Sequence, residues 1–334
     1  MEQFNIPVAL FLFKRGEKSA VIIDQIAKIK PKKIYLIGDG ARNKDEELAV
    51  HSCRAMVEEH ITWNCEIQRN YSNENRGVYD NIANGAKWVF EREPYAIFLE
   101  DDNFPALSFF RYCEELLYKY ENDARVLWIC GTNYMQKYEP EDGSDYVFTK
   151  LMLPCGWASW RSKFCRFYDG EMSLFRDSTI RSKVRKEYTN SLLYKQDLTA
   201  WEQVIYEVDN NKRIFSWDYQ MAFCIRANNL FGIAPKYNLI KNIGADMESI
   251  HGGNTMDKEM TSRFCEVPII ELEFPLKHPK ALMIDEGFER KTESIIIAPF
   301  KDRLKNTLIN IIKAMLHIKK QESLSQKIHE MLKI

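Results

Sequence analysis

The sequence predicts an α/β protein: a mostly parallel sheet flanked by helices, followed by a helical tail. Four short apolar runs in the first 100 residues alternate with stretches whose apolar residues recur at helical spacing. That order is typical of parallel strands joined by crossover helices. The runs are continuously apolar, as expected of strands covered on both faces. From about residue 294, apolar residues on one helical face are surrounded by Lys and Arg, which predicts the tail.

The predicted elements follow one another in chain order. Strands are predicted at 7–13, 32–37, 64–68, 97–99, 126–130 and 230–234, and helices at 19–29, 45–59, 78–90, 105–120, 175–198 and from 218 onward. Pro105 is placed in the first turn of its helix, where a missing N–H costs little. Residues 70–77, 138–145 and 241–255 are predicted to be loops because they are polar or rich in glycine.

Composition excludes several classes of protein. The formal net charge is -1, so no overall field attracts nucleic acid. The eight cysteines form no CxxC pair and mostly lie in apolar runs, which favours buried thiols in a reducing compartment. No apolar run approaches the roughly 18 residues of a membrane span. Residues 6–13 lack the flanks of a signal peptide and are better interpreted as the first strand. A cytoplasmic protein is expected.

Three consecutive carboxylates, Glu100, Asp101 and Asp102, directly follow a predicted buried strand. Adjacent carboxylates repel one another, and burying an uncompensated charge is costly. A bound Mn²⁺ or Mg²⁺ explains the arrangement, because hard oxygen ligands hold these ions together with substrate phosphates. An acidic turn is the alternative. The ends of parallel strands are where open α/β sheets bind ligands, which favours the cation.

The motifs that are missing narrow the chemistry. The chain has neither a G-x-x-x-x-G-K-[ST] loop nor a G-x-G-x-x-G after the first strand, which speaks against ATPases and dinucleotide oxidoreductases. A cation site without a phosphate loop suits an enzyme whose cation neutralises a diphosphate leaving group, as in nucleotide-sugar transfer. Asp39 could accept a hydrogen bond from a uracil or a ribose, and Arg15 could reach the base or a phosphate. The alternatives are that Asp39 is a turn residue and that Arg15 is a solvated residue at the end of a strand.

A transfer with inversion needs a general base for the acceptor hydroxyl. Asp218 is the best candidate, since aromatic neighbours can raise a carboxylate pKa; its alternative, compatible role is to N-cap the next helix. Trp217 offers an apolar face for an acceptor sugar. Glu202 is a weaker rival for the base. His251 either touches the diphosphate or the metal, or is structural.

Taken together, the motifs resemble those of bacterial GT-A-fold glycosyltransferases of the nucleotide-diphospho-sugar transferase superfamily, of the hemolytic-protein-like type. The resemblance to the N-acetylglucosaminyltransferase I family is more distant. The matching pieces are Phe98–Pro105, Ser108–Leu117, Gly156–Trp160, Trp217–Gln220 and Pro235–Gly244. Their order and rough spacing agree from about residue 5 to 255. The resemblance implies a GT-A type, Rossmann-like sheet.

The resemblance also implies roles for single residues. The last carboxylate of the acidic triplet holds the metal in that family, so Asp102 inherits this role. Glu100 and Asp101 would contact the sugar and the ribose of the donor. The Asp of the Trp-Asp motif acts as the base, which corresponds to Asp218.

Further donor contacts are implied around the strand ends. An Arg after the first strand and an Asp after the second bind the nucleotide, which fits Arg15 and Asp39. Trp157 is also expected to contact the donor. The relatives carry Gly-Cys-Lys after the third strand where this chain has Arg76-Gly77-Val78, so Arg76 is expected to substitute.

The sequence therefore predicts a metal-dependent, inverting glycosyltransferase of the hexosyl or N-acetylhexosaminyl class. The donor is expected to be UDP-linked, and the acceptor a glycan, free or lipid-linked, in bacterial capsule or O-antigen assembly. Residues 1–285 would form the transferase domain, with a nucleotide-sugar half (1–130) and an acceptor half (131–285). A sugar-nucleotide pyrophosphorylase and a non-catalytic nucleotide- or glycan-binding protein are the alternatives.

Residues 286–334 are predicted to form a basic amphipathic helical tail, and residues 296–334 carry a net charge of +5. Two interpretations stay open. The tail packs on the body or on a second subunit of an oligomer, or residues 296–320 lie on an anionic membrane surface at its cytoplasmic face.

Overall fold

The computed structural model describes residues 3–245 and 258–332. Within these ranges the chain forms an eight-stranded sheet with helices on both faces, and a short antiparallel strand pair beside it. The strands are β1 (Val8–Leu12), β2 (Lys33–Gly38), β3 (Glu66–Tyr71), β4 (Tyr95–Glu100), β5 (Asn103–Pro105), β6 (Val126–Cys130), β7 (Tyr146–Thr149), β8 (Trp157–Trp160), β9 (Phe231–Pro235) and β10 (Ile240–Asn242). The predicted α/β class with a mostly parallel sheet flanked by helices is confirmed.

The α-helices connect these strands or cover them. They are α1 (Gly16–Ala27), α2 (Lys44–Glu59), α3 (Gly85–Phe90), α4 (Leu107–Lys119), α5 (Arg161–Phe167), α6 (Ser178–Lys186), α7 (Ser191–Asp209), α8 (Asp218–Ala227), α9 (Glu259–Phe264), α10 (Glu286–Ile296), α11 (Phe300–Met315) and α12 (Leu324–Leu332). A π-helical turn, Asp80–Asn84, precedes α3.

The strand order is β3-β2-β1-β4-β8-β6-β9-β7. Strands β3, β2, β1 and β4 run parallel, so their carboxyl ends lie along one edge of the sheet. Strand β8 inserts antiparallel between β4 and β6, while β6 and β9 are parallel. This insertion joins the two halves of the chain into one continuous sheet.

Alternating side chains of the strands enter two separate cores. On β1, Val8 and Leu10 face a core formed with α1, α2 and α4, and Ala9 and Phe11 face the opposite core with α3 and α8. This is the two-residue period of a strand buried on both faces. It explains why the sequence shows continuous apolar runs.

The prediction that Pro105 begins a helix is wrong. Pro105 is the last residue of strand β5. Strand β5 pairs antiparallel with β10, and Pro105 lies opposite Ile240. Helix α4 begins at Leu107, where the backbone N–H groups of Leu107 and Ser108 donate to the carboxylate of Glu271. A carboxylate distant in sequence therefore caps this helix, which local patterning cannot reveal.

The single charged helix predicted over 175–198 is also wrong. A short 3₁₀ turn, α6 and the first part of α7 occupy this stretch. Asp177 accepts hydrogen bonds from the backbone of Thr179 and Ile180, and Asn190 accepts them from Leu192 and Leu193. Each side chain caps a new helix and so interrupts the previous one.

The predicted domain boundary at residue 285 falls within a packed segment. Phe288 of α10 is fully buried, and its ring contacts Tyr138 edge-on. Glu289 accepts hydrogen bonds from the Thr149 hydroxyl and the Lys150 backbone. Helix α10 thus belongs to the body, whereas α11 buries none of its residues. Among the helices in residues 3–245 and 258–332, none combines the length and apolar character needed to cross a membrane.

Candidate active site at the strand ends

The carboxyl ends of β2, β1 and β4 bring together residues that are distant in sequence. Arg15 follows β1, Asp39 follows β2, and the acidic triplet 100–102 ends β4. Arg15, Asp39, Glu100 and Asp101 line a cavity of about 440 Å³, here called the strand-end cavity. The structure therefore brings these four side chains to one cavity, and their roles stay predictions.

The guanidinium of Arg15 faces the acidic triplet. Nη1 of Arg15 lies 2.9 Å from Oδ2 of Asp102 and 3.3 Å from Oδ1 of Asp101. Burial and the neighbouring Asp102 and Asp101 raise the pKa of Glu100 well above its usual range. Burial, followed by Asp102, raises the pKa of Asp101 to about 7. The guanidinium of Arg15 lowers the pKa of both Glu100 and Asp101, but the effects of burial and of the neighbouring carboxylates are larger.

Asp102 is held from several directions. Its Oδ1 accepts a hydrogen bond from the Asn103 side chain at 2.7 Å, and its backbone oxygen accepts one from Ile243 at 2.8 Å. A Cβ placed on Gly244 would collide with Oδ2 of Asp102, so any larger residue there would have to displace this carboxylate. The β5–β10 pair keeps residues 242–244 against the carboxylate. The resemblance includes the segment Pro235–Gly244 but implies no role for its residues.

The donor set suits a cation shared with a ligand. In the part of the chain that the structure describes, no group of three or more His, Cys, Asp or Glu side chains could hold a metal ion. Mg²⁺ and related ions are often held by one or two carboxylates, with phosphate oxygens and water as the other ligands. Asp102 could provide such a ligand, and the mutual repulsion of the three carboxylates favours a cation beside them.

Asp39 organises the wall of the strand-end cavity. Its Oδ1 accepts from the backbone of Gly40 and Arg76 at 2.8 and 2.6 Å. Its Oδ2 accepts from the Asn75 side chain and the Gly77 backbone, each at 3.0 Å. Four hydrogen bonds support the alternative interpretation of Asp39 as a turn residue. A contact with a nucleotide stays a prediction.

Arg76 points away from the strand-end cavity. Its Nη2 donates to the backbone oxygens of Gly38 and Asn70, both at 3.1 Å, and its Nη1 donates to the Asn70 side chain at 3.2 Å. The guanidinium therefore joins the ends of β2 and β3. Arg76 is not among the residues that line the strand-end cavity, and its contact with a donor stays a prediction.

Trp157 lies in the core, not at the predicted donor site. Its side chain is 1% exposed and stacks between Phe98 and Trp128, with ring centroids 4.0 and 4.4 Å apart. Trp217 packs against Trp128 and Trp157 and also borders a second cavity. The expected contact of Trp217 with an acceptor stays a prediction that its position allows.

The second cavity, of about 640 Å³, is here called the helix-side cavity because α7, α8 and α9 contribute to its wall. Asp102 and Asp218 both line it. The two cavities share Arg15, Glu100 and Asp101 among their lining residues. The acidic triplet thus stands at the junction of two adjoining spaces.

Asp218 begins α8, while Trp217 occupies the N-cap position. The alternative that Asp218 itself N-caps the helix is therefore wrong, although its carboxylate lies in the first turn, where the helix dipole stabilises negative charge. Its charge is one cause of the raised pKa of Glu100. Asp218 and the acidic triplet also line the same helix-side cavity.

The structure also adds residues that sequence reasoning missed. Arg42 and Arg213 line the strand-end cavity, and Asp197 lines the helix-side cavity. Asp197 accepts a hydrogen bond from the Tyr188 hydroxyl at 2.7 Å, and burial raises its pKa to about 6. A lone Asp within a charged helix gives no sequence signal for such a position. Glu202 does not line either cavity.

The raised pKa of Asp197 predicts a pH dependence of stability. Because its folded-state pKa of about 6 exceeds the ordinary 3.8, the folded state binds more protons than the unfolded state between about pH 4 and 6. The free energy of unfolding should therefore fall as pH rises through this window, by on the order of 3 kcal/mol. Asp197→Asn should remove this decrease in urea unfolding curves.

The matched control is Asp45→Asn, because Asp45 is exposed in the first turn of α2. It should leave the slope of stability against pH as in the wild type. An unchanged slope in Asp197→Asn would show that Asp197 is ionised across the whole window.

His251 lies outside the described residues, so its role stays a prediction.

No protein-family model matches the chain, and no curated protein matches it. Solved structures with partial similarity include mouse xyloside xylosyltransferase 1 in its apo form, at 9% identity and TM-score 0.35, covering 67% of this chain and 82% of that chain. The apo WbbM bifunctional glycosyltransferase is 10% identical at TM-score 0.33, covering 67% of this chain and 38% of that chain.

A third solved structure is 4-diphosphocytidyl-2C-methyl-D-erythritol synthase from Anaerococcus prevotii. It is 11% identical at TM-score 0.32, covering 66% of this chain and 96% of that chain. Similarity at this level identifies neither a family nor a reaction for the chain. Membership of the GT-A group predicted from the motifs stays a prediction.

Proposed function

We propose that the protein is a metal-dependent, inverting glycosyltransferase that moves a sugar from a nucleotide diphosphate donor, UDP-linked by preference, to a glycan acceptor in surface polysaccharide assembly. The observation that carries this proposal is the acidic triplet, paired with Arg15, at the junction of two cavities. One cavity can hold a donor, the other an acceptor, and the groups needed for transfer lie between them.

The strand-end cavity suits a nucleoside diphosphate. Phe11 and Phe13 give it apolar surface, and Arg15, Arg42 and Arg213 give it positive charge. Aromatic rings can pack on a base, and guanidinium groups bind phosphate oxygens with a matching geometry. Since the whole chain is nearly neutral, this local concentration of Arg is a property of the site.

Asp102 would hold the cation, with diphosphate oxygens supplying further ligands. A bound Mn²⁺ or Mg²⁺ supplies Lewis-acid stabilisation of the departing diphosphate. Arg15, beside Asp102, would contact the same phosphates once a cation neutralises the carboxylates. Glu100 and Asp101 border both cavities and can orient the donor sugar through hydrogen bonds.

Asp218 would activate the acceptor in the helix-side cavity. Its carboxylate takes the proton of the acceptor hydroxyl as that oxygen forms a bond to the anomeric carbon. The bond from the anomeric carbon to the diphosphate breaks, and the nucleoside diphosphate leaves with the electron pair. Attack from the face opposite the leaving group inverts the configuration.

Thermal unfolding with a panel of nucleotides tests the donor site. A ligand at 100 times its Kd stabilises the protein by about 2.7 kcal/mol, which corresponds to a shift of a few degrees in Tm. We expect UDP with Mn²⁺ to give the largest shift, and UMP or UDP with EDTA a smaller one. A larger shift with another nucleoside diphosphate would indicate a donor with that base. No shift with any nucleotide would contradict the proposal.

A turnover assay separates transfer from the two alternatives. Release of UDP from a UDP-sugar that requires a glycan acceptor supports the transferase. Release of sugar phosphate and a nucleoside triphosphate on adding pyrophosphate would indicate a pyrophosphorylase. Nucleotide binding with no turnover across donors and acceptors would indicate a binding protein.

A further inference from the structure

Helix α11 turns an apolar face to solvent. Leu304, Leu308, Ile311, Ile312 and Met315 recur at helical spacing on one face, and each is at least 43% exposed. A surface helix of a globular protein normally directs such a face to the core. Helix α11 instead directs its apolar face away from the body, where the face is available to a partner.

The opposite side of α11 faces the body. Arg303, Ile309 and Lys313 are half-buried, in contrast to the apolar face. Ile318, just beyond the helix, is buried, and Lys319 lies over the ring of Tyr206 on α7 at 5.8 Å. These contacts hold the helix so that its apolar face points outward.

Charge distinguishes between the candidate partners. Residues 300–320 carry six Lys or Arg and one Asp, a net charge of +5, whereas the whole chain carries -1, so the remainder carries -6. Lys301 and Lys305 lie on the helix that bears the apolar face and are exposed. A second copy would bring two +5 segments together, but an anionic surface would neutralise them. Long Lys side chains also extend readily from an apolar surface to charged head groups.

The tail leaves the body at the rim of the helix-side cavity. Ile296 lines that cavity, and the Ala298 backbone donates to the side chain of Gln196, which lines it too. Helix α11 begins two residues later, at Phe300. A surface bound by α11 would therefore lie near the cavity in which the acceptor is proposed to bind.

We propose that α11 docks the protein on an anionic phospholipid bilayer, with its apolar face in the headgroup region and its Lys side chains against lipid phosphates. An amphipathic helix with a basic polar face and an exposed apolar face binds such interfaces. The docking needs no turnover, so it stands or falls separately from the transferase proposal. It would place the helix-side cavity beside acceptors carried on lipid.

Flotation of the full chain with vesicles tests the docking. Binding is expected to vesicles of phosphatidylcholine with about 30% phosphatidylglycerol. It should weaken at about 0.5 M salt and be weak with phosphatidylcholine alone. Lys301→Gln with Lys305→Gln should weaken partition about 25-fold, since each Lys near the surface contributes about five-fold. Leu308→Asp with Ile311→Asp should abolish it.

Leu48→Asp is the matched control, because Leu48 is 77% exposed on α2, outside the tail. It should bind vesicles as the wild type does. Hydrogen exchange of the wild type gives a second measurement that needs no variant: exchange of residues 300–316 should slow on anionic vesicles. No binding to anionic vesicles, or equal binding to neutral ones, overturns the proposal. Concentration-dependent dimerisation lost in the Leu308→Asp, Ile311→Asp variant would instead assign the face to a second copy.

Discussion

Asp102→Asn is expected to lower kcat/KM for sugar transfer by about a thousand-fold or more, because a metal ion contributes several kcal/mol to stabilising the leaving group. The substitution keeps the size of the side chain and the Asn103 contact but removes the charge that would hold the cation. The Mn²⁺-dependent part of the UDP thermal shift should disappear as well. Turnover and thermal shift measured on the same preparation check the expectation.

Asp45→Asn is the charge-matched control and should keep near-native turnover. Gly244→Ala provides a second variant, since its Cβ would displace the Asp102 carboxylate without changing any charge. Its loss should be smaller than that of Asp102→Asn. Gly232→Ala, whose Cβ has its nearest neighbour at 3.5 Å, is the control for adding a methyl group. Near-native activity of Asp102→Asn would refute the metal site.

Asp218→Asn is expected to lower kcat by about 10²- to 10⁴-fold, the range for a general acid or base. The donor should still bind, because Asp218 lines the helix-side cavity and not the strand-end cavity. The UDP shift with Mn²⁺ should therefore stay as in the wild type. Single-turnover measurements with saturating acceptor would isolate the chemical step.

Glu202→Gln is the matched control for the base. The sequence makes Glu202 a weaker candidate than Asp218 for the general base, and Glu202 does not line either cavity. Near-native turnover in Glu202→Gln together with loss in Asp218→Asn supports the assignment. A large loss in Asp197→Asn with normal turnover in Asp218→Asn would move the role of base to Asp197.

The strands that place the candidate site were predictable because their sequences are continuously apolar. Burial on both faces of β1, β2 and β4 gives a signal that does not depend on distant residues. Polar groups at the ends of such strands are then expected along one edge. Arg15, Asp39 and the acidic triplet meet there for this reason.

The remaining contacts depend on elements far apart in sequence. Trp157 is a core residue because β8 inserts between β4 and β6. Ser159 interrupts the apolar residues of this short strand, so its sequence does not indicate burial on both faces. Arg76 turns inward because the ends of β2 and β3 offer it carbonyl oxygens. Neither the insertion nor those acceptors can be deduced from local spacing.

The four hydrogen bonds to Asp39 have a consequence for the thermodynamics of ligand binding. They fix Asn75, Arg76 and Gly77 before any ligand arrives, and Gly77 adopts a left-handed backbone with φ of +84°. Ordering a loop during association consumes favourable interaction energy. A ligand that enters beside this loop meets a preorganised wall, so more of its contact energy is retained as affinity.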